Sequence, residues 1–310
     1  MLTAKARRRK AHQLLPSCLC DFGGQIQAAA GGKTLTTERQ YRTEAIVLKR
    51  SDFGEADRLL TLYTPERGKM RVVAKGVRRI TSRKAGHVEL FVRSRCMIHK
   101  GRDLDILAQA ESVETFRALR EDLRRAACAY FAAELLDGFT SEREEQAGIY
   151  ELLAETLRRL NEGRDLWLAT HYFEMRLLGL VGYRPELFFC VRCRAPLTPE
   201  GNVLDPSLGG LVCAKCSGDD PHLQTVSAQA FEVMRFLQTR PYAACAALPL
   251  TNRVRREVEN LLETYDAYLL ERRLKSASFL RDLRHRWQTL ETQTVVESQI
   301  DTEHEATSGS

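Results

Sequence analysis

From residue 42 to residue 112 the apolar positions fall in short alternating runs. Residues 43–49 put Ala45 and Val47 on one side and Ile46 and Leu48 on the other, and residues 57–64 repeat the feature with Leu59, Leu60, Leu62 and Tyr63. A period of two marks strands. Pro65-Glu66-Arg67-Gly68 supplies a turn, residues 70–74 resume a strand that ends at Gly76, and residues 90–100 and 104–110 flank a turn at Gly101-Arg102-Asp103. About five short strands at this spacing predict a small closed barrel of the oligonucleotide/oligosaccharide-binding (OB) type over residues 42–112.

Beyond Ser112 the period changes to that of a helix. Val113, Phe116, Leu119 and Leu123 open a helix that runs on to Leu136, and Ile149, Leu152, Leu153, Leu157 and Leu160 mark a second. Residues 166–181 are apolar nearly all round, which suits the middle of a bundle. Phe231, Met234, Phe236 and Leu237 mark another helix, and Val254, Val258, Leu261, Leu262, Tyr265 and Leu269 a long amphipathic one. The predicted fold class is α+β and multidomain: a barrel, then a helical domain over residues 113–289. Residues 290–310 carry Glu291, Glu297, Asp301, Glu303 and Glu305 without any apolar period and predict a disordered acidic tail. No repeat of 20 to 50 residues is visible.

The chain has 310 residues, 44% apolar and 28% charged, and its longest apolar run, Ala126 to Ala133, is far too short to cross a bilayer. Its net charge of +6 is unevenly spread: +5 in residues 1–40, +8 in residues 41–110 and −7 in the rest. The positive field belongs to the N-terminal third. Residues 1–41 read as a flexible basic extension. A basic start followed by Leu14 and Leu15 has the outline of an export signal, but Pro16 and Ser17 interrupt it. Gly31-Gly32-Lys33-Thr34 has the end of a phosphate loop, yet Gln27 stands where that loop needs its first glycine.

Nine cysteines include one metal-type set. Cys190-x2-Cys193 is followed nineteen residues on by Cys213-x2-Cys216, and the other five are scattered without the pattern of a disulfide framework, which fits a reduced cytosol. Four thiolates in two knuckles suit tetrahedral Zn²⁺, so a four-cysteine zinc knuckle is expected within residues 190–216. With four sulfur ligands no position is left for an activated water, and the zinc should be structural.

A second constellation runs from Arg67 to Lys84. Arg67, Lys69, Arg71, Lys75, Arg78, Arg79, Arg83 and Lys84 lie in eighteen residues with no carboxylate among them. On a strand and the loop after it, such a run tracks a phosphate backbone, while the plainer alternative is a solvated face. Phe53, Tyr63 and Phe91 are of the type that stacks on bases, although barrel aromatics more often point inward. Arg272, Arg273 and Lys275 beside Phe279 and Leu280 suit an acidic, apolar-ended peptide, or equally a helix C-terminus that favours cations. The seven histidines show no HxH or HExxH spacing and no trustworthy Ser-His-Asp order is present. That weighs against a zinc-dependent nuclease and leaves a zinc-containing RNA-binding or transcription regulatory protein as the other alternative.

Several stretches carry a resemblance. TEAIVLKR from Thr43, DFGEADRLL from Asp52, GKMRVVAKGVRR from Gly68, the four cysteines and RLKSASFL from Arg273 together resemble the RecO family of bacterial recombination and repair proteins, over roughly residues 42–285. The resemblance implies a non-catalytic, cytoplasmic, nucleoid-associated mediator. It implies binding to single- and double-stranded DNA, annealing of complementary strands, and partnership with RecR and the single-strand-binding protein's C-terminal tail in loading RecA. Some members lack the cysteines, so the complete set here implies a zinc-bearing form.

Overall fold

The computed structural model describes residues 39–146, 148–218 and 223–283, so most of the basic extension and all of the acidic tail expected from sequence lie outside the described residues. Five strands come first: β1 (Gln40–Phe53), β2 (Asp57–Thr64), β3 (Gly68–Ala74), β4 (Arg93–His99) and β5 (Asp105–Glu114). They close in the order β1-β2-β3-β5-β4, with β3 and β5 parallel at Val72–Asp105 and Val73–Ile106 and every other pair antiparallel. This is the OB topology that the strand spacing predicts.

The barrel is filled by Ala45, Val47, Leu60, Leu62, Met70, Val72, Ile98 and Leu107, all buried. The opposite face of β1 is buried too, since Ile46 and Leu48 join Tyr63 and Phe91 in the core of the helical region. A bulge between Val47 and Lys49 shifts the register of β1 against β2 there. Tyr63 and Phe91 are therefore core residues. Phe91 takes a left-handed φ of 66° and sets its ring edge-on to Tyr130 at 5.1 Å.

Three expected boundaries shift. The basic extension, expected to reach residue 41, stops earlier: β1 begins at Gln40, where pairing with β4 starts at Gln40 opposite His99 and Tyr41 opposite Ile98, and the Tyr41 hydroxyl donates to Asp105 at 3.0 Å. The strand expected to open at Leu90 opens at Arg93, after the turn that carries Phe91. The helix expected from Val113 does not form there: β5 runs on to Glu114, α1 (Ala118–Glu121) is a single turn, and α2 (Leu123–Phe139) starts afresh where the Asp122 side chain accepts from the N–H groups of Arg124 and Arg125. Cross-strand pairing of Ser112 with Ser94 outweighs the helical spacing of Val113 and Phe116.

The helical region continues with α3 (Ile149–Glu162) and α4 (Leu166–Leu180). Eleven residues of α4 are buried, as an element that is apolar all round requires. A small sheet of β6 (Asn202–Asp205), β7 (Gly210–Val212) and β8 (Gln224–Val226) is set between helices in the order β7-β6-β8, with the short α5 (Ala214–Ser217) after β7. The chain then forms α6 (Ala228–Thr239), α7 (Tyr242–Ala246), the long α8 (Asn252–Leu270) and a helical segment over residues 275–283. Ser227 and Thr251 cap α6 and α8. None of the described helices is long and apolar enough to cross a membrane.

Candidate nucleic-acid interface and metal centre

The chain leaves β3 through Gly76, whose φ of +65° suits a residue without Cβ, and does not return to the sheet until Arg93. Both ends of this loop are anchored, Val77 and Val88 each being 1% exposed in the barrel core. Hydrogen bonds fix what lies between. The Gly76 N–H donates to Asp57 Oδ1 at 2.7 Å and the Arg78 N–H to the Ala56 carbonyl at 2.9 Å. Lys84 Nζ donates to the carbonyls of Lys75 and Leu107, both at 3.1 Å, and His87 Nδ1 lies 2.8 Å from Ser112 Oγ. Burial lowers the pKa of Lys84, partly offset by Asp57. Its ammonium acts first as a latch that holds the loop to β5.

Between this loop and the outer face of β1, β4 and β5 lies an open groove of about 970 Å³. Six cationic side chains line it: Arg42, Lys75, Arg79, Arg83, Lys84 and Arg95, against the carboxylates of Glu44 and Glu111. Glu44 is shared between Arg93, whose Nη2 lies 2.6 Å from Oε2 outside the groove lining, and the groove's own Arg95, whose Nε lies 3.7 Å from Oε1. The groove is strongly positive and polyanion-sized.

The eight cations of the carboxylate-free run thus divide into separate groups. Lys75, Arg79, Arg83 and Lys84 share the groove. Arg67 stacks over the Tyr41 ring at 4.1 Å and lines a separate hollow of about 270 Å³ with Lys100, Arg102 and Arg143. Arg78 reaches Asp52 at 3.4 Å, and Arg71 pairs with Glu142 at 2.7 Å with both side chains half exposed. Lys69 corrects the sequence reading outright. It is 8% exposed and its ammonium is spent inside the molecule on Asp137, so it belongs to no outer surface. It lies on β3 beside the last turns of α2, where its side chain meets Asp137 rather than solvent.

Arg42 and Arg95 are groove residues that the linear pattern does not reveal. They stand on β1 and β4, and only the register that sets Arg42 opposite Met97 and Glu44 opposite Arg95 brings them beside the loop. Alternation along β4, with Cys96 and Ile98 turned inward, is the available signal that Arg95 faces out. Phe53 stands exposed at the end of β1, apart from the groove lining.

The four knuckle cysteines converge. Their sulfurs all lie within 4.8 Å of one another, and Cys193 Sγ and Cys213 Sγ are 3.7 Å apart. A tetrahedron with metal–sulfur bonds of about 2.3 Å has edges of about 3.8 Å, so the set has the dimensions of a four-thiolate metal site. Local backbone builds it. Arg194 adopts a left-handed φ of 62° to close the first knuckle, donating its N–H to the Cys190 carbonyl at 2.9 Å. A Cβ on Gly210 would stand 2.5 Å from the Glu186 carbonyl, so the approach of β7 to that segment requires glycine. Arg192 ties both halves together, donating to the Cys216 carbonyl at 2.7 Å and meeting Asp205 at 3.3 Å.

Burial works against charge on Cys190, yet N–H groups of Cys193, Cys213 and Arg192 outweigh it and hold the thiol down at about 6. Hydrogen bonding to Cys193 and Cys213 pushes Cys216 up to about 12. Thiols crowded together resist sharing more than one negative charge, and a divalent cation among them removes that resistance. The donor set fits a resident metal ion.

At the far end, the predicted peptide-binding cluster is only partly a surface. Arg272, Arg273, Lys275 and Phe279 are exposed, Phe279 at 46%. Leu280 is 5% exposed in the main core, beside Phe131, and is corrected from groove to packing residue because residues 275–283 form a helix whose inner face carries Leu280 and Leu283. Arg272 is also tied down, at 3.2 Å from Glu134.

Comparison with known proteins covers both the barrel and the helical region. The family model for the N-terminal part of recombination protein O matches residues 38–116, and that for its C-terminal part matches residues 120–278. The DNA repair protein RecO of Roseiflexus sp. is 42% identical over 252 residues, covering 81% of this chain and 89% of that protein. That of Desulforudis audaxviator is 41% identical over 246 residues, with 79% and 98% covered, and that of Symbiobacterium thermophilum 37% over 247 residues, with 79% and 98% covered.

Proposed function

The chain belongs to the RecO family of DNA repair and recombination proteins, and from that premise we propose that it works as a mediator that holds DNA strands in the cationic groove beside its barrel. The observation that carries this reading is the groove itself: six cations from β1, β4 and one pinned loop surround a volume that a phosphate backbone can enter. Neutralising phosphates on two strands lowers their mutual repulsion and releases counterions. Binding of single- and double-stranded DNA and annealing of complementary strands follow from the same electrostatics, with no bond-making step. RecA loading onto strands coated by single-strand-binding protein, together with RecR, is the cellular role this supports, in the cytoplasm at the nucleoid. Arg272, Arg273, Lys275 and Phe279 suit the acidic, apolar-ended tail of that protein. Zn²⁺ held by Cys190, Cys193, Cys213 and Cys216 serves the fold of the knuckle.

Salt titration of DNA binding tests the reading. Replacing Arg42, Arg79 and Arg83 by Ala together should flatten the plot of log K against log salt by about 2 to 3, near 0.7 to 0.9 per lost phosphate contact. Annealing should slow in the same variant, and an unchanged slope would overturn the assignment of the groove.

A further inference from the structure

Ile80 is the most exposed large apolar side chain among the described residues, at 105% of the reference area. It stands in the bend of the loop between β3 and β4, with Arg78 and Arg79 immediately before it and Arg83 shortly after. No described residue covers it. A lone exposed aliphatic residue is ordinary on a protein surface. This one differs in how it is held and in what surrounds it.

The loop is not free to fold Ile80 back. Val77 on one side and Val88 on the other are buried in the barrel core, the Arg79 N–H donates to the Gly76 carbonyl at 3.2 Å, and the Ser82 N–H donates to the Arg79 carbonyl at 2.9 Å. Ile80 lies inside that last turn. Lys84, with its ammonium on the carbonyls of Lys75 and Leu107, closes the loop behind it. A β-branched side chain, stiff at χ1, is therefore presented outward from a pinned turn. Its closest charged neighbours in sequence are guanidinium groups, among them Arg79 and Arg83 of the groove that the proposed function gives to a DNA strand.

We propose that Ile80 is a wedge that enters between two stacked bases of the strand held by the flanking arginines. An apolar side chain at the apex of a cationic loop has the form of the inserting residues with which proteins unstack a base step: cations draw in the backbone and the aliphatic group replaces a base in the stack. The unstacking cost is met by phosphate contacts made on either side of the wedge. A strand opened at one step presents bases for pairing with a complement, which gives annealing a structural starting point. The inference rests on the DNA-binding reading of the groove and adds to it the residue that touches the bases.

The test uses the full chain and oligonucleotides carrying 2-aminopurine between adenines, as a single strand and as a duplex. Binding of the unaltered protein should raise 2-aminopurine emission in at least one of them, as the base leaves its stack. Ile80→Ala should abolish the rise with a roughly ten- to hundredfold loss of affinity, the size expected for burying one aliphatic side chain, and with the salt slope unchanged. Ile80→Trp should restore contact, read as quenching of its indole emission on binding. Because the Ile80 side chain is fully exposed, neither substitution should alter the melting temperature. DNA bound by the unaltered protein with no change in emission, or a rise that persists in Ile80→Ala, overturns the wedge while leaving the groove intact. Failure of the unaltered protein to bind either DNA instead overturns the groove, and the wedge with it.

Discussion

Lys69 Nζ lies 2.9 Å from Asp137 Oδ1 and 2.7 Å from the Asp137 carbonyl oxygen, joining barrel strand β3 to the last turns of α2. Lys49 reaches the same carboxylate at 2.6 Å from β1. Burial would raise the pKa of Asp137, but the two ammonium groups outweigh it and hold it below the ordinary carboxylate range. A lysine inside an apparently uniform basic run is thus a structural clamp.

Lys69→Ala should lower the unfolding free energy by about 1–3 kcal/mol, because Asp137 keeps only one of its two partners. DNA binding in the folded variant should keep its salt slope. The carboxylate has a depressed folded-state pKa, so its contribution is present above the unfolded value of about 3.9 and is lost as pH falls through the folded value. The difference between variant and unaltered protein should therefore shrink in acid. Urea unfolding across pH checks the sign, and a constant difference would remove the ion pair from the account.

Cys190→Ser should release the metal of the knuckle and lower the melting temperature. Cys190 is fully buried with the Cys213 N–H at 3.4 Å from its sulfur, and a serine there would offer a hard, protonated oxygen in place of the soft thiolate. Elemental analysis of the intact chain should find one zinc per chain, and a chelator should reproduce the destabilisation of the variant. Structural zinc contributes apparent binding energies of about 10–16 kcal/mol in small knuckles. Metal-free protein of unchanged stability would remove the zinc from the fold.

Asp266→Asn should become progressively more favourable as pH rises. Asp266 is 2% exposed in α8, and burial followed by the nearby Glu174 pushes its carboxyl well above the ordinary range. His171 and Glu174 face the same small pocket from α4, and Glu259 and Glu263 from α8. The folded state keeps a proton there that the unfolded chain releases, so stability falls as pH climbs from the unfolded value of about 3.9 toward the folded one. Asn has no proton to lose. Unfolding at about pH 5 and about pH 8 should show the variant gaining relative to the unaltered chain, and a gain that is the same at both would show that Asp266 carries no charge penalty.

Glu134→Ala should loosen the C-terminal helical segment while sparing the rest. The Glu134 carboxylate accepts from the N–H of Ser276 at 2.9 Å, its hydroxyl at 2.6 Å, the N–H of Lys275 at 3.2 Å and Arg272 at 3.2 Å. It acts as a cap supplied by a distant helix, worth about 0.5–2 kcal/mol. Limited proteolysis should cut near residues 270–275 in the variant first. An unchanged cleavage pattern would mean that Leu274, Leu280 and Leu283 hold the segment without the cap.

The barrel was legible because strand periodicity and turn residues act locally: the alternation of Ala45, Ile46, Val47 and Leu48 and the turns at Gly68 and Gly101 carry their own instructions. The cysteine set was legible because metal spacing constrains four residue types at once. Partnership across sequence was not. That Lys69 meets Asp137 and that Arg42 and Arg95 join Lys75 depends on strand register and on how the helices dock, which no local window contains. Val113 shows the reverse failure, a helical spacing overruled by sheet pairing.

Apolar side chains on both faces of β1 carry a further implication for how the chain finds its native alignment. In an ordinary half-solvated strand, slipping by one residue turns greasy groups toward water, and that penalty polices the pairing. Residues 45–48 offer no such safeguard, since Ala45, Ile46, Val47 and Leu48 are all 2% exposed or less and would simply trade places. Discrimination must come from features that tolerate no exchange: the kink at Leu48, the fit of small Ala45 and Val47 to the narrow interior, and Glu44, which meets its arginine only when the strand is seated correctly.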